Sequence, residues 1–315
     1  MFKFGVIVLL LGYSPKAFAT DCTTCKGTYE TARDASGATA AAKCTALANY
    51  LTCLETSAKT DTGCPLATAD AAAIETDYGD STCSGETVFT ATCKCQKEFW
   101  KTDQSANAAA ICSAAKAYIL CLKGETAVAC DTSATPATLA TGVETRMTGL
   151  GTTDCAIADT CQCQINTAKA TIATGANKCT AYKTELSCLR TAQSTGCDGT
   201  TTKSAIATTS DTARAALSAS DCPALTSTCQ CEVDAAKGAA ATSATYCIVL
   251  TTLKTCLSAI TPTTEVGCAS TTQAALLTDT NTKTTSAMCG SVADRVTFAM
   301  TSLVVSVLVN MFLYM

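Results

Sequence analysis

The chain has no histidine among its 315 residues. That absence removes the commonest general base and the commonest imidazole metal ligand, so Ser-His-Asp and Cys-His sites are excluded. Aromatics make up 5% of the chain, with a single tryptophan, too few for many stacking or anchoring groups. There is no G-x-S-x-G, no phosphate-binding Gly-rich loop and no dinucleotide fingerprint. No asparagine begins a permitted Asn-x-Ser/Thr sequon: Asn49, Asn107, Asn166, Asn177, Asn281 and Asn310 all fail. The net charge is -4 with no basic patch, which argues against nucleic acid as a partner. Carboxylate pairs such as Asp77 and Asp80 do not recur at matched positions along the chain. The expectation is a non-enzyme with no catalytic residues, no metal and no cofactor.

What the chain does have is cysteine: 24 of them, an even number. Four stretches share one spacing of Cys, eight residues, Cys, Leu. They are Cys44 to Leu54, Cys112 to Leu122, Cys179 to Leu189 and Cys247 to Leu257. Counting from the first cysteine, positions 3, 7 and 10 are Leu47, Leu51 and Leu54 in the first copy. They are Ala115, Ile119 and Leu122 in the second, Tyr182, Leu186 and Leu189 in the third, and Leu250, Lys254 and Leu257 in the fourth. At about 100° per residue these positions share one stripe of an amphipathic helix. The second cysteine lies about 900° round, on roughly the opposite face. A helix with a thiol on each side is expected to be the middle one of a small bundle.

The cysteines fall into four sets of six, and sets two to four open with C-x-C. The predicted fold class is mainly α, with four tandem disulfide-rich modules of about three helices and three disulfides each. The predicted boundaries are 20–86, 87–156, 157–224 and 225–290. In each module an Ala/Lys-rich opening segment precedes the repeated helix, with Gly37, Gly175 and Gly238 as candidate ends of the first helix. A Thr/Ser/Gly-rich turn leads to the fifth cysteine. A third segment such as Ala205 to Ser220 runs to the sixth, and its threonines make it the weakest helix by propensity.

An up-down-up bundle returns the end of helix three to the start of helix two. The third and sixth cysteines are therefore expected to pair: Cys44–Cys83, Cys112–Cys155, Cys179–Cys222 and Cys247–Cys289. The fourth and fifth would join the two opening cysteines in either order. The C-x-C pairs would suggest thiolate metal ligation in a reducing cell, but the secretion signal and the even count favour disulfides.

Residues 1–19 read as a signal peptide: Lys3, an apolar run from Phe4 to Leu11, and Ala17-Phe18-Ala19 as a small-x-small cleavage site. At the other end, Phe298 to Met315 is apolar with no following basic residue, and small residues stand upstream at Gly290-Ser291-Val292-Ala293. That order matches a glycosylphosphatidylinositol attachment signal over residues 291–315, with Gly290 or Ser291 as the attachment residue. The contrary reading is an ordinary single membrane span. Thr200-Thr201-Thr202 and Thr278 to Ser286 are candidate sites for O-linked sugar.

The layout of signal peptide, tandem periodic-cysteine modules rich in Ala and Thr over residues 20–290, and lipid-anchor tail resembles the immobilisation-type surface antigens of ciliates. The resemblance implies a dense, protease-resistant cell-surface coat. The expected function is a lipid-anchored surface coat, adhesion or recognition protein on the outer leaflet of the plasma membrane, with an extracellular protein or glycan as partner. The alternative is a lipid or sterol carrier with helix-two residues such as Ile119, Leu122, Leu186 and Leu189 lining a cavity.

Overall fold

The computed structural model describes residues 22–60, 68–102, 108–151 and 155–289. Over those residues the protein is helical, with twelve α-helices in succession. The first set of six cysteines carries α1 (Cys22–Arg33), α2 (Ala40–Thr60) and α3 (Thr68–Asp80). The second carries α4 (Ala91–Trp100), α5 (Ala108–Leu122) and α6 (Pro136–Leu150). The third carries α7 (Asp159–Ala168), α8 (Gly175–Leu189) and α9 (Lys203–Ala215), and the fourth α10 (Ser227–Lys237), α11 (Ser243–Ser258) and α12 (Gln273–Ser286).

Threonine starts seven of these helices. Thr90, Thr135, Thr174, Thr202, Thr226, Thr242 and Thr272 each accept the backbone N–H three residues on. Each cap satisfies a donor that the first turn leaves free, worth about 1 kcal/mol. Inside the third helices threonine behaves differently. Thr141, Thr208 and Thr278 donate their hydroxyls to the carbonyls four residues back. The side chain thus satisfies itself on its own helix, and the exposed methyls cost little. Gly175, expected to end the first helix of its module, instead opens α8 behind the Thr174 cap. A Cβ there would stand 2.3 Å from the Asp221 carboxylate, which would have to swing aside.

The disulfides repeat one pattern. First pairs with fifth in Cys93–Cys130, Cys161–Cys197 and Cys229–Cys268. Second pairs with fourth in Cys25–Cys53, Cys95–Cys121, Cys163–Cys188 and Cys231–Cys256. Third pairs with sixth in Cys44–Cys83, Cys112–Cys155, Cys179–Cys222 and Cys247–Cys289. The middle helix of each trio is therefore tied on one side to the opening helix and on the other to the end of the third.

The trios do not each close a private core. One cluster joins Leu51 and Leu54 of α2, Phe99 and Trp100 of α4, Ile119 and Leu122 of α5 and Ile165 of α7. A second joins Leu186 and Leu189 of α8 with Val233 and Ala236 of α10. Each opening helix after the first thus packs on the second and third helices of the preceding trio. This explains the one charged position in the repeated stripe. Leu51, Ile119 and Leu186 are fully buried, whereas Lys254, in the last of the described trios, is exposed. Repeat arrays need such polar terminal faces to stay soluble.

Candidate functional site

The most strongly conditioned part of each later trio is the corner where its opening helix meets its fifth cysteine. The local sequence is Thr-Cys-x-Cys-Gln or Glu, at residues 92–96, 160–164 and 228–232. The threonine and both cysteines are buried each time. Thr92 donates to the Ala127 carbonyl at 2.6 Å and Thr160 to the Ser194 carbonyl at 2.8 Å. The last residue accepts the N–H of the fifth cysteine: Gln96 from Cys130 at 2.8 Å, Gln164 from Cys197 at 2.7 Å, Glu232 from Cys268 at 2.5 Å. A buried backbone donor is thereby paired beside a disulfide that joins the same two strands of chain. Gly196 and Gly267 precede the fifth cysteine because a Cβ would come within 2.8 Å of Gln164 Oε1 or 2.3 Å of Glu232 Oε2.

At the fourth trio this corner gathers Cys229, Glu232 and Cys268 with ligand atoms within 4.8 Å of one another. The two sulfurs are bonded to each other, so they offer no thiolate to a metal. Glu232 is itself committed: Ser187 donates to it at 2.6 Å, and Arg190 lies 3.5 Å away. The corner is a structural joint.

A second recurrent element crosses the junctions. The lysine six residues beyond the second C-x-C cysteine pairs with an acid on the third helix of the preceding trio. The distances are 3.3 Å for Lys101–Glu75, 2.5 Å for Lys169–Glu144 and 2.5 Å for Lys237–Asp211. Lys97, almost fully buried, also reaches Glu75 at 2.6 Å and lies 4.3 Å above the Tyr78 ring. Glu185, wholly buried on α8, accepts from Ser210 at 2.6 Å and pairs with Lys123 of the preceding trio at 2.5 Å. These partially desolvated pairs set which helix faces may meet more than they add stability.

The first junction is aromatic. Phe99 stacks on Tyr118 with centroids 4.8 Å apart and meets Trp100 edge-on at 5.0 Å. The guanidinium of Arg146 lies over both rings, 5.6 Å from Phe99 and 5.3 Å from Trp100. Burial pulls the Arg146 pKa down, and the Glu55 carboxylate opposes that. Burial, with Glu55 beside it, pushes the Tyr118 phenol well up. The acid–base character of these groups is spent on the joint.

Asp77, half of the carboxylate pair singled out in the sequence, accepts from Tyr29 at 2.5 Å and Arg33 at 3.0 Å, while Asp80 is exposed. Ile119, Leu122, Leu186 and Leu189 are fully buried, and none lines the surface grooves beside α7 and α8, α10 and α11, or α1 and α3. The largest of these grooves, about 680 Å³, is open and lies beside Cys231–Cys256, between Leu225 and Ile260. No free cysteine is found among the described residues, and no helix there is long and apolar enough to cross a membrane. Gly290 and Ser291 lie outside the described residues, as do the signal-peptide and tail segments. Disulfides at this density belong to an oxidising compartment, which marks an extracellular or secreted protein. No family model, curated protein or solved structure matches the chain.

Proposed function

We propose that this is a cell-surface coat, adhesion or recognition protein, held on the outer leaflet by a lipid anchor added at Gly290 or Ser291. The observation that carries the reading is the disulfide array: each trio is cross-linked by one repeating pattern, and the buried ionisable groups serve joints between trios. Such a chain is built to persist outside the cell. The apolar run from Phe298 to Met315, preceded by small residues, supports the anchor. The described surface offers four linked trios for contact with an extracellular protein or glycan, and weak sites on one chain gain avidity when engaged together. A carrier would keep its helix-two residues around an enclosed space, and here they fill core.

The test is expression of the chain with an epitope tag after Thr20 in eukaryotic cells, followed by phosphatidylinositol-specific phospholipase C on intact cells. Release of the tag into the medium is expected. Retention, while an anchored control protein is released, would sink the anchor.

A further inference from the structure

The third-to-sixth disulfide occurs in every trio, and the residues flanking it can be compared four times. The residue after the third cysteine is Thr45, Ser113, Thr180 and then Ile248. The residue before the sixth is Thr82, Asp154, Asp221 and then Met288. Both positions are polar in the first three trios and apolar in the fourth alone. Ile248 is 66% exposed and Met288 79% exposed, the two most exposed large apolar side chains among the described residues. They stand on either side of one disulfide, Cys247–Cys289, whose Cα atoms are 5.2 Å apart. Met288 is also held in a left-handed backbone conformation, φ 51°, as Thr82 is at the matched position, φ 54°. The matched Asp221 of the third trio is not left-handed, so the first and fourth trios share this backbone, with the polar residue exchanged for an apolar one.

Both side chains are exposed on the described surface. The chain continues from Cys289 directly into Gly290 and the tail that ends in the apolar run. We infer that Ile248 and Met288 form a foot that rests in the interfacial layer of the lipid bilayer to which the tail holds the protein, with phospholipid as the occupant. The inference rests on the tail being membrane-attached. Two apolar side chains do not hold a protein on lipid by themselves, but on a chain already tethered within a residue or two they fix its orientation. The foot would set the fourth trio against the membrane and direct the first trio outward. The exchange in the last trio alone follows, because only that trio borders the attachment site.

The test uses the full chain purified from eukaryotic membranes and reconstituted in phosphatidylcholine vesicles, part of whose acyl chains carry bromine, a contact quencher of indole. The native Trp100 is buried far along the chain and gives a constant background. Ile248→Trp and, separately, Met288→Trp add a reporter at the foot, and Thr180→Trp adds one at the matched position of the third trio. The expected result is emission quenched about twofold or more for the foot variants and unchanged for Thr180→Trp, since quenching demands contact with the acyl region. Equal quenching at all three positions, or none at either foot position in vesicle-bound protein, overturns the proposal. Phospholipase C treatment of the same vesicles reports separately on the anchor. A chain that is not released defeats the anchor reading, and the quenching comparison still decides the foot.

Discussion

Trp100 donates its indole N–H to the Glu55 carboxylate at 3.0 Å, across the junction between the first and second trios. Both groups are buried, and Arg146 stacks on the same indole. Glu55→Ala leaves a buried N–H without its acceptor and removes the carboxylate that favours the charged form of the half-buried Arg146. The expected loss is about 2–4 kcal/mol. Glu55→Gln, which keeps an acceptor, should lose less. Guanidinium unfolding followed by tryptophan emission and by far-ultraviolet circular dichroism measures both.

Lys203 gives the chain a defined alkaline response. It is buried at the start of α9 and donates to the Ala235 carbonyl on α10 at 3.0 Å. Burial pushes its pKa down from 10.5 to about 8, against a small opposing pull from Asp159. The folded state therefore disfavours the charged form. Below pH 8 both folded and unfolded states carry the proton and the penalty is complete; between about pH 8 and 10.5 it fades as the folded state releases the proton first. The predicted result is that Lys203→Met is more stable than the native chain at pH 7 by about 1–3 kcal/mol, with the difference shrinking toward pH 10. Paired denaturation curves at the two pH values would show it, and a difference independent of pH would refute the assignment.

The residue two beyond the fifth cysteine is left-handed in three trios: Thr132 at φ 60°, Gly199 at φ 72° and Ser270 at φ 61°. Glycine adopts this conformation freely and a β-branched residue does not. Thr132→Gly should stabilise the protein by about 0.5–1 kcal/mol, and Gly199→Thr should destabilise it by about 1–2 kcal/mol. Thermal melts of the two single variants check the signs.

The one disulfide class without a described member in the first trio is the first-to-fifth pair. Cys22 and Cys64 occupy those places in the sequence, and Cys64 lies outside the described residues. Non-reducing peptide mapping is expected to recover Cys22 linked to Cys64. Recovery of either cysteine with any other partner would break the four-fold pattern.

The repeated middle helix is legible in the sequence because burial leaves a period, and Leu51, Ile119 and Leu186 carry it. The third helices are harder to read. Their threonines have poor intrinsic propensity, yet α6, α9 and α12 form because the hydroxyls of Thr141, Thr208 and Thr278 close on their own carbonyls and Leu139, Ile206 and Leu276 are buried. The order of the second-to-fourth and first-to-fifth bridges was open in the sequence, since two residues of C-x-C stand too close for spacing to separate them. The joints were not legible at all. Gln96, Gln164 and Glu232 look like surface residues until their caps on the fifth cysteines are seen. The lysines of the junction pairs read as solvated charges, and only the fold supplies Glu75, Glu144 and Asp211 as their partners.

The crossed bridges also limit how far the chain can be drawn out when its helices melt. From Cys93 the covalent route runs to Cys95, over to Cys121, back along α5 to Cys112 and over to Cys155. Pulled taut, that route measures about 50 Å, against roughly 220 Å for the same stretch with its bridges reduced, at about 3.5 Å per residue. Tension along the molecule is thus taken up by covalent bonds after a short extension. Sustained traction can unfold the helices, but it cannot convert the array into a long, protease-accessible thread.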